Sequence, residues 1–388
     1  MERTIDGLIP DHGGIELCGL NLTDLEIAKE KFANWLSEFG SVALVETAET
    51  RAGDQNTVRF HIRRDVANDL APEGDTSGLC RKLNLHTTEN SRDLEAEILM
   101  AMLLSPVPFH FPSYEELVSS VRIRRNIVQS ARKTSLSFAT NEAERPEEYW
   151  IYDEDRGFIL RPGCSLIDAL TAATQPGQNG KRYTFSCRRA GEYIVLLSIA
   201  MEVADCHPEL CQALHQQAEA RALKGREFER IFQHCHGSLE KPLPLKYFVP
   251  GDRTWFRNPE PISAEITGYE GSWTFYLGNG IYADFWRPNQ HYNLTTKCLS
   301  IYHWRNSTFR DAQGELQIDE SRVEAQVDET LKSPSATADI LRDLVQLQAP
   351  LGVIGGGSIE AHRECIRQVC RGTSDLHLPE VPSTNPPE

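Results

Sequence analysis

The 388-residue sequence predicts an α+β protein, and three observations carry that expectation. Runs with apolar residues at helical spacing, such as "LTDLEIAKEKFANWLSEFG", lie next to short β-rich runs, "SVALVE" and "TVRFHI". A strong hairpin signal, Gly278-Asn279-Gly280, separates two aromatic-rich runs, Trp273 to Leu277 and Ile281 to Trp286. Finally, the segment after Ser186 is apolar almost all round from Tyr193 to Met201, which marks a helix inside a sizeable domain.

The elements follow in order. Residues 1–104 read as a small α+β unit that ends in the helix "SRDLEAEILMAMLLSP", opened by Ser91 and closed before Pro106. Helix and strand signals then alternate through residues 105–305. Residues 306–388 begin polar and acidic, form a helix near "SATADILRDLVQLQ", and reach the glycine cluster "GVIGGGSIEAHRECIRQVC". That cluster reads as a strand, a glycine turn and a helix starting at Ser358; it lacks the Lys-Ser/Thr of a phosphate-binding loop. On that helix Cys365 and Cys370 do not face each other, so no disulfide follows. The Pro-rich tail is expected to be disordered. His234 to His236, "HCH", read as surface histidines at a helix end, because residues i and i+2 share no helical face and no further ligand completes a metal set.

Composition narrows the function. A formal charge of −16 argues against nucleic acid or an anionic membrane as the main partner, since both need a basic footprint. It suits an amine or another cationic partner. No basic start followed by an apolar stretch opens the chain, and no segment has the length to span a bilayer, so a cytoplasmic location is expected. Ten cysteines are scattered without a CxxC pair, which predicts free thiols in a reducing compartment. No cofactor is expected.

Two places carry chemistry. Ser186 is an acceptable N-cap, which puts Cys187 at the first helical position, where free N–H groups and the helix dipole favour an anion such as a thiolate. Arg188 and Arg189 are expected to lower its pKa further; the plain reading is a buried free cysteine. In the hairpin, a three-residue loop sets Thr274 opposite Asp284 and Ser272 opposite Trp286. Glu270, Ser272, Thr274, Tyr282, Asp284 and Trp286 then share one face, and a two-residue loop reverses it. A carboxylate at Asp284 inside an aromatic strand is either at an exposed edge or kept for chemistry.

Several collinear pieces resemble the small Bacillus-type protein-glutamine gamma-glutamyltransferases of the spore coat. They are "SPVPFHFPSYEELVSSVRIRRNIVQSARK", "YWIYDEDRGFILRPGCSLIDAL", "YTFSC" and "GDRTWFRNPE". The resemblance implies a papain-like, transglutaminase-like fold with N- and C-terminal extensions, Cys187 as nucleophile and no need for added divalent metal. It also implies a glutamate and a histidine on the hairpin, where this sequence has Ser272 and Asp284. Three readings follow. Asp284 acts as base with Glu270 nearby; His291 returns from the following loop to make a Cys-His pair; or the site is inactive. Trp286, Tyr282, Ser272 and Trp273 are the expected substrate-facing residues. The expected function is a cysteine acyltransferase that joins a glutamine-like or small-molecule acyl donor to an amine through a thioester. The alternatives are a binding or scaffold module, and an enzyme using Asp284 without a covalent intermediate.

Overall fold

A computed structural model describes residues 13–52, 55–138, 143–177, 180–287, 290–350 and 355–380. The Pro-rich tail, residues 381–388, and the "LGVI" of the glycine cluster, residues 351–354, lie outside the described residues.

The first sheet has four strands in the order Val45–Ala52, Gln55–Ile62, Ile15–Leu20, Phe109–Phe111. Its central strand Ile15–Leu20 runs antiparallel to Gln55–Ile62 and parallel to Phe109–Phe111. The helix Leu22–Glu38 starts at Asn21, whose side chain accepts from the Asp24 N–H, and buries Leu25, Ala28, Phe32 and Leu36 at the spacing of one helical face. The helix Ser91–Leu103 is capped by Asn90, one residue before Ser91. It joins the helices Tyr114–Lys133 and Cys187–Cys206 in the main apolar core.

The second sheet has six strands, in the order Tyr292–Asn293, Ile281–Tyr282, Gly271–Gly278, Arg253–Arg257, Arg363–Ile366, Gln233–His236. Because side chains alternate, Phe275 and Leu277 enter the main core while Tyr276 and Tyr282 enter a second core with Phe248, Phe256, Leu299 and Trp304. Tyr276 pairs with Tyr282, the register of a three-residue loop, yet Gly278 pairs with Ile281, so an irregularity leaves Asn279-Gly280 as the turn. Gly278, Asn279 and Gly280 all have positive φ, at 87°, 52° and 71°. Buried Glu97 fixes this turn by accepting the Asn279 N–H at 2.8 Å.

Two expectations are corrected by strand pairing. No helix starts at Ser358; the chain instead reaches the strand Arg363–Ile366, which pairs with both Arg253–Arg257 and Gln233–His236. Arg363 is fully buried, donates to the carbonyls of Tyr247, Glu360 and His362, and lies 4.0 Å from the Phe248 ring centroid. Strand geometry alone sends Arg363 and Cys365 to the same inner side. His234 to His236 directly follow the helix Gly225–Phe232 but form an edge strand, and His236 is no surface residue: it is buried against the Phe109 ring at 3.7 Å. All ten cysteines are free, and no described helix is long and apolar enough to cross a membrane.

Arg124, on the helix Tyr114–Lys133, meets Asp252 at 2.7 Å, with both side chains buried. Asp252 also accepts the Val249 N–H at 2.7 Å and so fixes the approach to the strand Arg253–Arg257. Arg124→Met leaves a buried carboxylate without its cation and is expected to lower unfolding free energy by about 3–5 kcal/mol. Urea denaturation checks this, and a loss under ~1 kcal/mol would show that the pair does not hold the helix to the sheet.

Candidate active site

Ser186 caps the helix Cys187–Cys206 by accepting the Arg189 N–H at 3.3 Å, which leaves Cys187 as its first residue, half-buried at a sheet edge. Trp255 and Trp273 face each other across the ladder. The Trp255 N–H points away from it, to Glu360 Oε2 at 2.8 Å, so the Trp273 N–H also points outward. Among the described residues no strand covers that flank, because the neighbouring strand Ile281–Tyr282 has only two residues. The Trp273 N–H donates to the Cys187 sulfur instead.

Burial raises the Cys187 thiol pKa, and the Trp273 N–H, the Lys297 and Arg253 cations and the Arg188 N–H oppose that rise. This corrects the expectation that the Arg188 and Arg189 side chains depress it. Arg188 makes a fork on Glu229 with both oxygens at 2.8 Å, and Arg189 pairs with Glu192 and the Leu223 carbonyl. Successive helical residues project about 100° apart, so neither side chain shares the thiol's direction.

Lys297 is the residue that sequence reading missed. It sits in the helix Leu294–Trp304, whose start is fixed by a reciprocal Asn293–Thr296 capping box. The residue is 5% exposed, its Nζ donates to Ser272 Oγ at 2.7 Å, and it lies 4.4 Å from the Tyr292 ring centroid. Burial lowers the Lys297 pKa; Asp284, Cys187 and Glu320 pull it back up. The sequence held one signal: Lys297 is the only Asp, Glu, Lys or Arg between Arg287 and Arg305, and an isolated charge in an apolar helix is either an error of packing or a site.

Asp284 is buried and acts electrostatically on Lys297. Its Oδ1 accepts the N–H groups of Trp286 at 2.9 Å and Arg287 at 3.3 Å. Its Oδ2 lies 3.3 Å from Arg287 Nε, within ion-pair range but off the line of a hydrogen bond. Asp284 does not line the cavity beside Cys187, whereas Ser272, Trp286 and Lys297 do. Tyr282 is not a cavity wall either: it is packed edge-on against Phe248 and Phe256 in the second core. Glu270 lies at the exposed surface, where its carboxylate accepts the Gly268 N–H at 3.0 Å. Trp273 contributes its N–H to the sulfur, while its ring stacks under the buried Arg253 guanidinium at 3.9 Å. His291 Nδ1 accepts the Asp284 N–H at 3.3 Å, and the ring does not line the cavity.

The cavity measures about 210 Å³. Phe138, Tyr269, Trp286 and Trp304 form its aromatic side, with Phe138 to Trp286 at 5.2 Å and Tyr269 to Trp304 at 5.2 Å between ring centroids. Glu320 and Glu324, from the helix Glu320–Leu331, form its acidic side; Glu324 meets Arg287 at 3.1 Å. Burial raises the Glu320 pKa, against a hydrogen bond from Tyr269.

A thiol at the start of a buried helix, set on the bare flank of an antiparallel sheet with an amine beside it, defines a cysteine site on an α+β scaffold. The family profile of protein-glutamine gamma-glutamyltransferase matches residues 77–297, more than half of the chain, and the chain belongs to that family. A protein-glutamine gamma-glutamyltransferase of Halalkalibacterium halodurans is 28% identical over 214 residues, 52% of this chain and 67% of the relative. Another, from Bacillus licheniformis, is 23% identical over 206 residues, 52% of this chain and 75% of the relative. A solved transglutaminase from Geobacillus stearothermophilus, without its C-terminal extension, superposes with a TM-score of 0.39 at 18% identity, covering 55% of this chain and 98% of that one.

The arrangement fixes an expectation for thiol chemistry. Labelling of Cys187 by iodoacetamide should show a midpoint above the ordinary thiol value of about 8.5, since burial outweighs the opposing donors. Lys297→Met removes a neighbouring cation and should move the midpoint further to the alkaline side. A midpoint that falls or stays fixed in Lys297→Met would show that Lys297 does not act on the sulfur.

Proposed function

We propose that the protein is a cysteine acyltransferase in which Lys297 does the proton work that the resemblance assigns to a histidine. The observation that carries this reading is the buried Lys297 ammonium group, 2.7 Å from Ser272 Oγ and electrostatically coupled to both Cys187 and Asp284. Cys187 carries a thiol raised by burial and Lys297 an amine lowered by burial, so a proton passes between them at small cost. Lys297 takes the thiol proton as sulfur adds to the carboxamide carbonyl of a glutamine-like donor. The Arg188, Arg189 and Ala190 N–H groups already have acceptors, so the Cys187 N–H at the helix start is the donor left for the developing oxyanion. Lys297 then protonates the leaving nitrogen, ammonia departs, and a thioester remains on Cys187. A primary amine attacks that thioester, gives its proton to Lys297, and leaves as the substituted amide while the thiol is restored.

In this reading Asp284 is a positioning residue: it favours the ammonium form of Lys297 rather than acting as the base itself. The acidic side of the cavity, Glu320 and Glu324, suits a cationic acceptor such as a lysine side chain or a polyamine. Both residues come from the 306–388 segment, so we assign that segment to acceptor binding; residues 1–104 are an N-terminal extension whose helix Ser91–Leu103 packs into the main core. The chemistry as written uses no metal and no cofactor. The free thiols suit a reducing compartment, where we place the protein.

The test is incorporation of a fluorescent primary amine into a glutamine-containing protein. Cys187→Ser should abolish it with a melting temperature within a few degrees of wild type. Lys297→Arg keeps the positive charge but cannot give up a proton. It should therefore keep Cys187 labelling near wild type while turnover falls by roughly 10²-fold or more. Equal turnover in Lys297→Arg would remove the proton-transfer role. Asp284→Asn should lower turnover and move the acid limb of the pH profile to lower pH, because the ammonium loses its supporting charge and titrates earlier. An unmoved limb would leave Asp284 purely structural.

One observation favours a second reading. Ser272 and Asp284 occupy the positions where the resemblance expects the glutamate and the histidine, and the thiol is raised rather than activated. A binding module built on the same fold is the result if no amine is incorporated at any pH and Cys187→Ser leaves partner binding unchanged.

A further inference from the structure

We propose that Glu16, Cys18 and His110 form a zinc site on the N-terminal four-stranded sheet. Glu16 and Cys18 are two residues apart on one strand, on the face opposite the buried Ile15 and Leu17. His110 lies on the neighbouring parallel strand, directly paired with Glu16. The three donor atoms converge: Cys18 Sγ is 3.4 Å from Glu16 Oε1, His110 Nδ1 is 3.5 Å from the same oxygen, and Cys18 Sγ is 3.9 Å from His110 Nδ1. With bonds of about 2.3 Å to sulfur and about 2.0–2.2 Å to nitrogen and oxygen, a tetrahedral zinc ion spaces its ligands about 3.3–3.6 Å apart. The triangle therefore closes on an ion with shifts of a few tenths of an ångström.

The surroundings already divide the carboxylate. Arg59, paired with Glu16 from the strand on the other side, takes Oε2 with both Nε and Nη2, which turns Oε1 towards the thiol and the imidazole. A ligand carboxylate held by such a partner is the usual means of fixing ligand orientation. In the metal-free arrangement Cys18 donates its proton to Glu16, and burial together with that carboxylate pushes the thiol up to about 11. A bound divalent ion replaces that proton: the thiolate forms, a proton is released to solvent, and the ion joins the sulfur to the carboxylate. One sulfur, one nitrogen and one oxygen donor suit zinc and disfavour calcium or magnesium, which take oxygen. His110 is 60% exposed, so water completes the fourth position. None of the three residues lines the Cys187 cavity. The ion would pin the strand Phe109–Phe111 to Ile15–Leu20 across 92 residues of chain, a stabilising link rather than a catalytic one.

The full-length protein, stripped with EDTA, is titrated with Zn2+ and, separately, with Co2+. One equivalent of zinc should bind and raise the melting temperature, and cobalt should give tetrahedral absorption with a thiolate charge-transfer band. Cys18→Ser should lose that band, whereas Cys187→Ser should keep it. His110→Ala, at an exposed position that does not threaten folding, should weaken zinc binding on the order of 10-fold or more. A folded wild type that takes up no zinc overturns the proposal, as does a charge-transfer band that survives in Cys18→Ser. If Cys18→Ser does not fold, unchanged zinc affinity in His110→Ala overturns it alone.

Discussion

The site depends on one constraint: the strand Gly271–Gly278 is covered on its outer flank for only part of its length. At the hairpin end, Ile281–Tyr282 pairs with it and Glu97 holds the turn. At the other end the chain leaves the ladder after Ala283, whose N–H still reaches the Phe275 carbonyl at 2.9 Å. A backbone N–H left without a ladder partner must find another acceptor or face water. The Cys187 sulfur, brought from the main-core side by the helix Cys187–Cys206, is that acceptor. Lys297 arrives from the second core, on the opposite face, and takes Ser272 Oγ. Thiol and amine thus reach this rim from the two cores on opposite faces of the sheet.

Burial acts on the two groups in opposite senses. It disfavours the thiolate and it disfavours the ammonium, so it favours the neutral thiol and amine over the charged pair, while their mutual attraction and the Asp284 carboxylate favour the charged pair. Burial wins on balance, so the thiol is raised, the amine is lowered, and both lean towards their neutral forms. A side chain entering the cavity and excluding water shifts that balance by contacts alone. The aromatic residues Phe138, Trp286, Tyr269 and Trp304 form the apolar side of that cavity.

Local signals in the sequence reported local structure well. Ser186 as cap and Cys187 as first helical residue follow from capping preference, and Asn279-Gly280 follows from the positive φ that the turn requires. What lay beyond reach was direction and long-range pairing. Arg188 and Arg189 neighbour Cys187 along the chain but project to Glu229 and Glu192. Tyr282 pairs with Tyr276, the register of a three-residue loop, yet register does not say which core each face meets, and Asp284 lies beyond the end of the ladder. The segment at Arg363 reads as helix in isolation, because its spacing fits both periods; only pairing with Arg253–Arg257 and Gln233–His236 decides for a strand. Lys297 stands 110 positions after Cys187 in the sequence, and nothing local links the two.

The strand Arg363–Ile366 lies between Arg253–Arg257 and Gln233–His236, not at the margin of its sheet. A ribosome delivers its two neighbours more than a hundred residues before it delivers this strand. Until then those two strands each present an unpaired edge, the kind of surface on which chains associate wrongly. The buried guanidinium of Arg363 arrives with the late strand, and its carbonyl partners on Tyr247, Glu360 and His362 have no fixed donor before that moment. The sheet whose flank meets Cys187 is therefore completed only when residues 363–366 have been made, so the thiol is delivered early and its scaffold closes late.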